Sequence, residues 1–160
     1  IIFSAGEIDC REGMGGPLLE GYQMDISECR PYVQRTAREY VSTMTELAKK
    51  YNLQILLLPV APHAHRSNQN GKTTGRAFRR SVIHEWNLML RSLLKLRQDA
   101  KEGNVYLLDY EEHLREPSTT SPTKYVLKQS FSADCTHMNS AFLPHLERSI
   151  EASGCNMEVL

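Results

Sequence analysis

Residues 53–60 read Leu-Gln-Ile-Leu-Leu-Leu-Pro-Val, a nearly continuous apolar run with Pro59 near its end. A strand with one face in water alternates apolar and polar side chains, whereas a strand covered on both faces does not. This run does not alternate, so it reads as the central strand of a parallel sheet. The longest apolar stretch of the chain, Ile55 to Ala61 with only Pro59 inside it, falls far short of the roughly 20 residues that cross a bilayer. No membrane span is expected.

Working outward, Val33, Ala37, Tyr40, Val41, Met44, Leu47, Ala48 and Tyr51 recur at steps of three and four, with Arg35, Arg38, Glu39, Lys49 and Lys50 between them. That spacing predicts an amphipathic helix from Glu28, with Asp25 or Ser27 able to cap it, Pro31 fitting only its first turn and Asn52 as its stop. On the other side of the strand, a polar stretch leads to a second predicted helix. Its stripe is Phe78, Val82, Ile83, Trp86, Met89, Leu90, Leu93 and Leu96, and its end lies near Gly103. Residues 1–5 and 105–108 are two further short apolar runs. Residues 13–21, with four glycines and a proline, resist regular structure, and residues 116–132 read as a long Ser/Thr/Pro loop. A last helix is expected over 141–152, with Leu143, Leu146 and Ile150 inward and Gly154 as its stop.

Strand and helix thus alternate three times, which predicts right-handed crossovers and an α/β fold in one domain, residues 1–160. Residues 1–5, 53–60 and 105–108 should lie parallel in one sheet. Function should then gather at the carboxyl ends of these strands. The segments there are residues 6–11, His63 to His65, and the long connection carrying Asp134 and His137.

Composition narrows the function classes. The 160 residues carry 19 Lys plus Arg against 19 Asp plus Glu, so no general field draws nucleic acid or an acidic membrane, and no nucleic-acid partner is expected. The N-terminus has neither the basic start nor the long apolar core of a signal peptide, and the compartment stays open. Cys10, Cys29, Cys135 and Cys155 are irregularly spaced without a C-x-x-C pair, which matches neither a zinc ribbon nor a dithiol motif and favours free thiols. Gly71-Lys72-Thr73 invites a P-loop reading, but that motif demands Gly where Arg66 stands. The basic group Arg66, Lys72, Arg76, Arg79 and Arg80 reads as a solvated helix start. Trp86 and Tyr40 lie on apolar stripes and read as core, and His84, His113 and His145 as structural or solvated.

The segment Ser132-Ala133-Asp134-Cys135-Thr136-His137-Met138-Asn139 places a carboxylate and an imidazole three apart, directly before the last helix. Such a carboxylate can hold an imidazole in the tautomer whose other nitrogen acts as a general base. Here the sequence resembles the SGNH or GDSL hydrolase superfamily, whose final motif is D-x-x-H, often extended as in Asp134 to Asn139. Gly6-Glu7-Ile8-Asp9 resembles that superfamily's G-x-N-D turn, with Ile8 at the Asn position and Asp9 able only to accept through an ionised side chain. The longer string through Arg11 resembles a less characterised branch.

The resemblance implies a three-layer flavodoxin-like sheet with helices on both faces, and an ester hydrolase acting on an O-acyl or O-acetyl group of a small molecule or glycan. Asp134 and His137 would be catalytic. Gly6, Glu7, Asp9, Arg11, His63 and His65 would form the substrate or oxyanion region, with no cofactor. No G-D-S turn is present, so the resemblance places the first strands and the nucleophilic Ser before Ile1. The expected partner is that segment, or another chain, pairing with residues 1–5, because an unpaired parallel strand is an aggregation hazard. Two alternatives stand beside this reading. One is a non-catalytic SGNH-like subunit of a larger assembly, and the other is a metal-dependent hydrolase ligated by His63, His65, Asp134 and His137.

Overall fold

The apolar run at 53–60 forms β2 (Ile55–Leu58), flanked by β1 (Ile2–Ser4) and β3 (Val105–Leu107). The three strands make one parallel sheet in the order β1-β2-β3, with Phe3 opposite Leu57 and Ile55 opposite Val105. The computed structural model describes residues 1–4, 26–62, 74–99, 104–118, 121–133 and 138–153. Ile55, Leu56 and Leu57 are each at most 1% exposed, so both faces of β2 are covered.

The alternation of the strand decides what covers it. Ile55 and Leu57 point into one cluster, built with Val33, Ala37, Val41 and Ala48 of α1 (Ile26–Tyr51) and Val82, Trp86, Leu90 and Leu94 of α2 (Thr74–Asp99). Leu56 and Leu58 face a second cluster with Leu108, Tyr110, Leu114, Leu127 and Phe131. Both long helices therefore share one face of the sheet, and later elements cover the other. Each buried aliphatic side chain here contributes about 1.5–3 kcal/mol of transfer free energy.

The first helix ends where Asn52 suggested. Asn52 adopts φ 50°, its N–H donates to the Lys49 carbonyl at 3.4 Å, and the Leu53 N–H donates to the Ala48 carbonyl at 2.9 Å. This pair of bonds is a Schellman closure, which Asn tolerates better than most residues because its short polar side chain suits the left-handed region. The helix starts at Ile26, so Pro31 lies in its second turn rather than its first, and α1 forgoes one backbone N–H there. Asp25 lies outside the described residues. Cys29 is buried and free, and burial, with the Glu28 charge second, pushes its thiol pKa up; Cys10, Cys135 and Cys155 lie outside the described residues.

Several expectations require correction. Residues 116–132 are not a loop: β4 (Arg115–Ser118) and β5 (Ser121–Leu127) form an antiparallel hairpin, with Glu116 opposite Val126 and an irregularity between Pro117 and Ser118. A two-stranded ribbon has only edge strands, so Pro can sit where no ladder bond is needed. A short helix, α3 (Glu111–Leu114), precedes the hairpin. On α2, Leu96 is 68% exposed and Leu94 is buried instead. The buried row advances by four at each step through Val82, Trp86, Leu90 and Leu94, and a residue two further on lies about 200° around the helix. Tyr51 and Leu143, each at the end of its helix, are also exposed rather than inward.

The final helix, α4 (Leu143–Ala152), follows a 3-10 turn at Ser140–Phe142 and packs Leu146 and Ile150 against the second cluster as expected. Tyr110 stacks on Phe142 with centroids 5.9 Å apart, and burial pushes its phenol up to about 12. No helix among the described residues is long and apolar enough to cross a membrane.

Candidate functional site

Because β1, β2 and β3 run parallel, the chain leaves all three at the same edge of the sheet. Gly6, Glu7, Asp9 and Arg11 follow β1, and His63 and His65 follow β2. These six residues lie outside the described residues, as do Asp134 and His137. The anchors on either side of these segments are described, and they are unusually well fixed.

After β2 the backbone of Val60 is held by one side chain on α2. The Val60 N–H donates to Asn87 Oδ1 at 2.9 Å, and Asn87 Nδ2 donates to the Val60 carbonyl at 2.8 Å, both in the buried interior. A primary amide matches a peptide group donor for acceptor, so the residue that would otherwise leave two buried backbone groups unpaired is satisfied by a single Asn. The segment beyond Pro62 starts from a rigid point.

The D-x-x-H segment is pinned at both ends. Ser132 and Met138 form an isolated antiparallel bridge across it. Asn139 donates through Nδ2 to the Ser130 carbonyl at 2.8 Å and the Ser132 carbonyl at 3.3 Å, and its Oδ1 accepts the Ala141 N–H at 2.9 Å. The Asn139 N–H also donates to the Phe131 carbonyl at 2.9 Å. Asn139, read from the sequence only as the end of a motif, is thus both the cap of the following turn and a brace on residues 130–132.

A cleft of about 290 Å³ opens at the same edge, lined by Ile26, Arg30, Pro62, Arg80, Ser81, Ile83, His84, Glu85, Glu111 and Tyr125. Its residues come from the first turns of α1, the early half of α2, the start of α3 and the hairpin. Arg30 Nε lies 3.1 Å from Glu85 Oε2, and Gln34 Nε2 donates to Glu85 Oε1 at 3.1 Å. Tyr125 stands between His84, with centroids 6.4 Å apart, and the Arg115 guanidinium, 4.2 Å from the ring centre.

Behind the cleft, Arg91 on α2 grips Asp109 with two bonds of 2.6 and 2.7 Å, and its Nη2 also reaches the buried Glu111. Arg115 Nη1 approaches Glu111 at 3.6 Å. Burial alone would lower the pKa of Arg91, but the hydrogen bonds it donates to Asp109 and Glu111, with their charges, outweigh it and hold the guanidinium above its ordinary value. Sequence reasoning passed over Arg30, Glu85, Asn87, Arg91, Glu111 and Tyr125. The signal was present at Glu85 and Asn87, two polar residues at the margins of the apolar stripe of α2, where a buried polar group requires a partner.

His145 on α4 ties this edge to the last helix. Its ring stacks on His113 with centroids 5.0 Å apart, meets Phe131 edge-on at 5.3 Å, and its Nδ1 lies 3.1 Å from Arg148 Nη2. Burial first, then the cations of Arg148, His113 and Lys128, push its pKa down from 6.5. A base with a depressed folded pKa stabilises the fold fully above its unfolded pKa. That contribution fades as the pH falls through about 6.5 toward the lower folded value. The thermal midpoint should therefore fall more steeply between pH 7 and pH 5 in the natural protein than in His145→Gln. Equal slopes would mean that the imidazole charge has no part in docking α4.

No family model matches the sequence, and no curated protein does. The fold is similar to that of a protein named for platelet activating factor from Streptococcus pneumonia, at 16% identity and a TM-score of 0.54, over 95% of this chain and 57% of that one. It is similar also to a GDSL-like lipase from Bacteroides thetaiotaomicron, at 15% identity and a TM-score of 0.52, over 94% of this chain and 59% of that one. The chain thus spans less than two thirds of the length of these structures. The α/β sheet described here shares its fold with these two structures.

Proposed function

We propose that the chain is the larger part of an SGNH-type ester hydrolase that removes an O-acyl or O-acetyl group. The observation that carries this reading is the likeness of the fold to that of a GDSL-like lipase, with three parallel strands whose carboxyl ends lie at one edge. The chain's sheet is completed in three flavodoxin-like layers. His137 takes the proton from a Ser supplied outside these residues, Asp134 holds the His137 ring in the required tautomer, and the turn at Gly6 lies near the acyl oxygen. Glu7, Asp9, Arg11, His63 and His65 surround the substrate. The partner is the segment carrying that Ser, from the same protein or another chain, pairing along β1. In support, among the described residues β1 pairs only with β2, and Ile1 and Ile2 beside its open side are 59% and 47% exposed.

Ile8 in place of Asn favours a second reading, a non-catalytic subunit of the same fold. Turnover of p-nitrophenyl acetate by the intact protein separates the two. Hydrolysis that disappears in His137→Ala supports the enzyme, whereas no hydrolysis supports the subunit. Hydrolysis lost to a chelator and restored by zinc or manganese would overturn both in favour of His63, His65, Asp134 and His137 as metal ligands, since a Ser mechanism needs no metal.

A further inference from the structure

We infer that the cleft between α1, α2 and the β4-β5 hairpin binds an uncharged sugar ring, of the pyranose type. Among the described residues the charges that line it cancel, with Arg30 and Arg80 against Glu85 and Glu111. They are also held in place: Glu85 by Arg30 and Gln34, Glu111 by Arg91 and Arg115. An anionic ligand would meet two buried carboxylates, and a cationic one would meet two guanidiniums. A long acyl chain would strip water from all four charged groups and replace none of its hydrogen bonds.

A neutral polyol escapes all three penalties. Each of its hydroxyls both donates and accepts, while an ionised carboxylate offers about four acceptor sites and a guanidinium five donors in a fixed fork. At Glu85 Gln34 engages one oxygen and Arg30 the other, which orients a carboxylate that, as an acceptor-only group, suits hydroxyl donors. The His84 ring adds a group that donates or accepts. Ile26, Pro62, Ile83 and Tyr125 supply the apolar wall against which the C–H face of a sugar ring packs. A volume of about 290 Å³ sits at the lower end of small-molecule sites and suits a short ligand rather than a polymer.

The inference rests on the ester-hydrolase reading in one respect, that the bound ring is the alcohol part of the substrate. Binding itself is independent of it. Saturation-transfer NMR on the intact protein with methyl glucopyranoside, methyl galactopyranoside, methyl mannopyranoside and methyl N-acetylglucosaminide is expected to show ring-proton transfer for at least one. Glucuronate, glucosamine and octanoate at the same concentration should give less. Tyr125→Ala and Arg30→Gln alter positions that are 37% and, for the Arg30 side chain, 49% exposed, so the fold should tolerate both. Each should weaken the sugar by roughly tenfold, the usual scale for one lost packing or charged hydrogen-bond contact. No transfer from any neutral pyranoside, stronger binding of octanoate or of a charged sugar, or equal binding by both variants would overturn the inference. Sugar binding without p-nitrophenyl acetate turnover sinks the hydrolase reading alone. Turnover without sugar binding sinks this one alone.

Discussion

In the intact protein, His137→Ala is expected to lower kcat for p-nitrophenyl acetate by about 10²–10⁴-fold, the usual share of a general base. The midpoint of thermal unfolding should move by less than about 2 °C, as for substitutions that remove chemistry rather than packing. Asp134→Asn should fall in the same direction, because in the proposed mechanism the carboxylate sets the tautomer and orientation of His137. The pH profile adds a check: a rate that requires neutral His137 rises with pH through the imidazole range, and His137→Ala flattens that rise. Full residual activity in His137→Ala would remove it from the mechanism. A large loss of stability in a protein that hydrolyses nothing would favour the subunit reading, in which His137 packs rather than reacts, the cap of the following turn being Asn139.

The largest stability effect is expected at Arg91. Its two carboxylate partners differ in what they lose. Asp109 has a side chain 35% exposed and can recover water, whereas the Glu111 side chain is 5% exposed and cannot. Arg91→Met should therefore cost about 3 kcal/mol, chiefly from stranding Glu111, since breaking a buried pair costs more than the pair contributes. For a chain of this size that lowers the unfolding midpoint by about 6–12 °C. Arg91→Met combined with Glu111→Gln should recover part of the loss, because the stranded charge is gone; a coupling of about 1–3 kcal/mol in the double-mutant cycle is the measure. A loss below about 0.5 kcal/mol for Arg91→Met would mean that Arg115 alone neutralises Glu111.

The sheet was legible because its signal is local. Eight residues at 53–60 carry the both-faces-covered pattern, and Asn52 announces the end of α1 by its own conformational preference. The hairpin was not legible, because Ser, Thr and Pro dominate residues 116–132. The fate of that segment is decided by Val126, Leu127 and Phe131, which are buried against distant elements. Leu96 was misplaced because a mean period of 3.6 hides the drift of a row that steps by four. The described cleft was harder still. Glu85 looks like a solvated helical carboxylate until Gln34, 51 residues away, is brought against it. Charge burial of this kind is a tertiary property, and only a polar residue at the margin of an apolar stripe hints at it. The residues read from the sequence as the site follow the described strands, or lie between described anchors, and are themselves outside the described residues.

The two faces of β2 are finished at different times along the chain. Residues from Cys29 to Val105 complete the cluster on one face, and the other receives its cover from Tyr106 onward, ending with Ile150 in the last helix. During synthesis the first layer can assemble as soon as β3 emerges, with Leu56 and Leu58 still bare on the reverse side. A short-lived species of that kind has native strand pairing and an uncovered apolar sheet, the combination that makes partly folded chains associate. The closing elements are thus what turn a sticky nascent sheet into one that can remain apart from its neighbours.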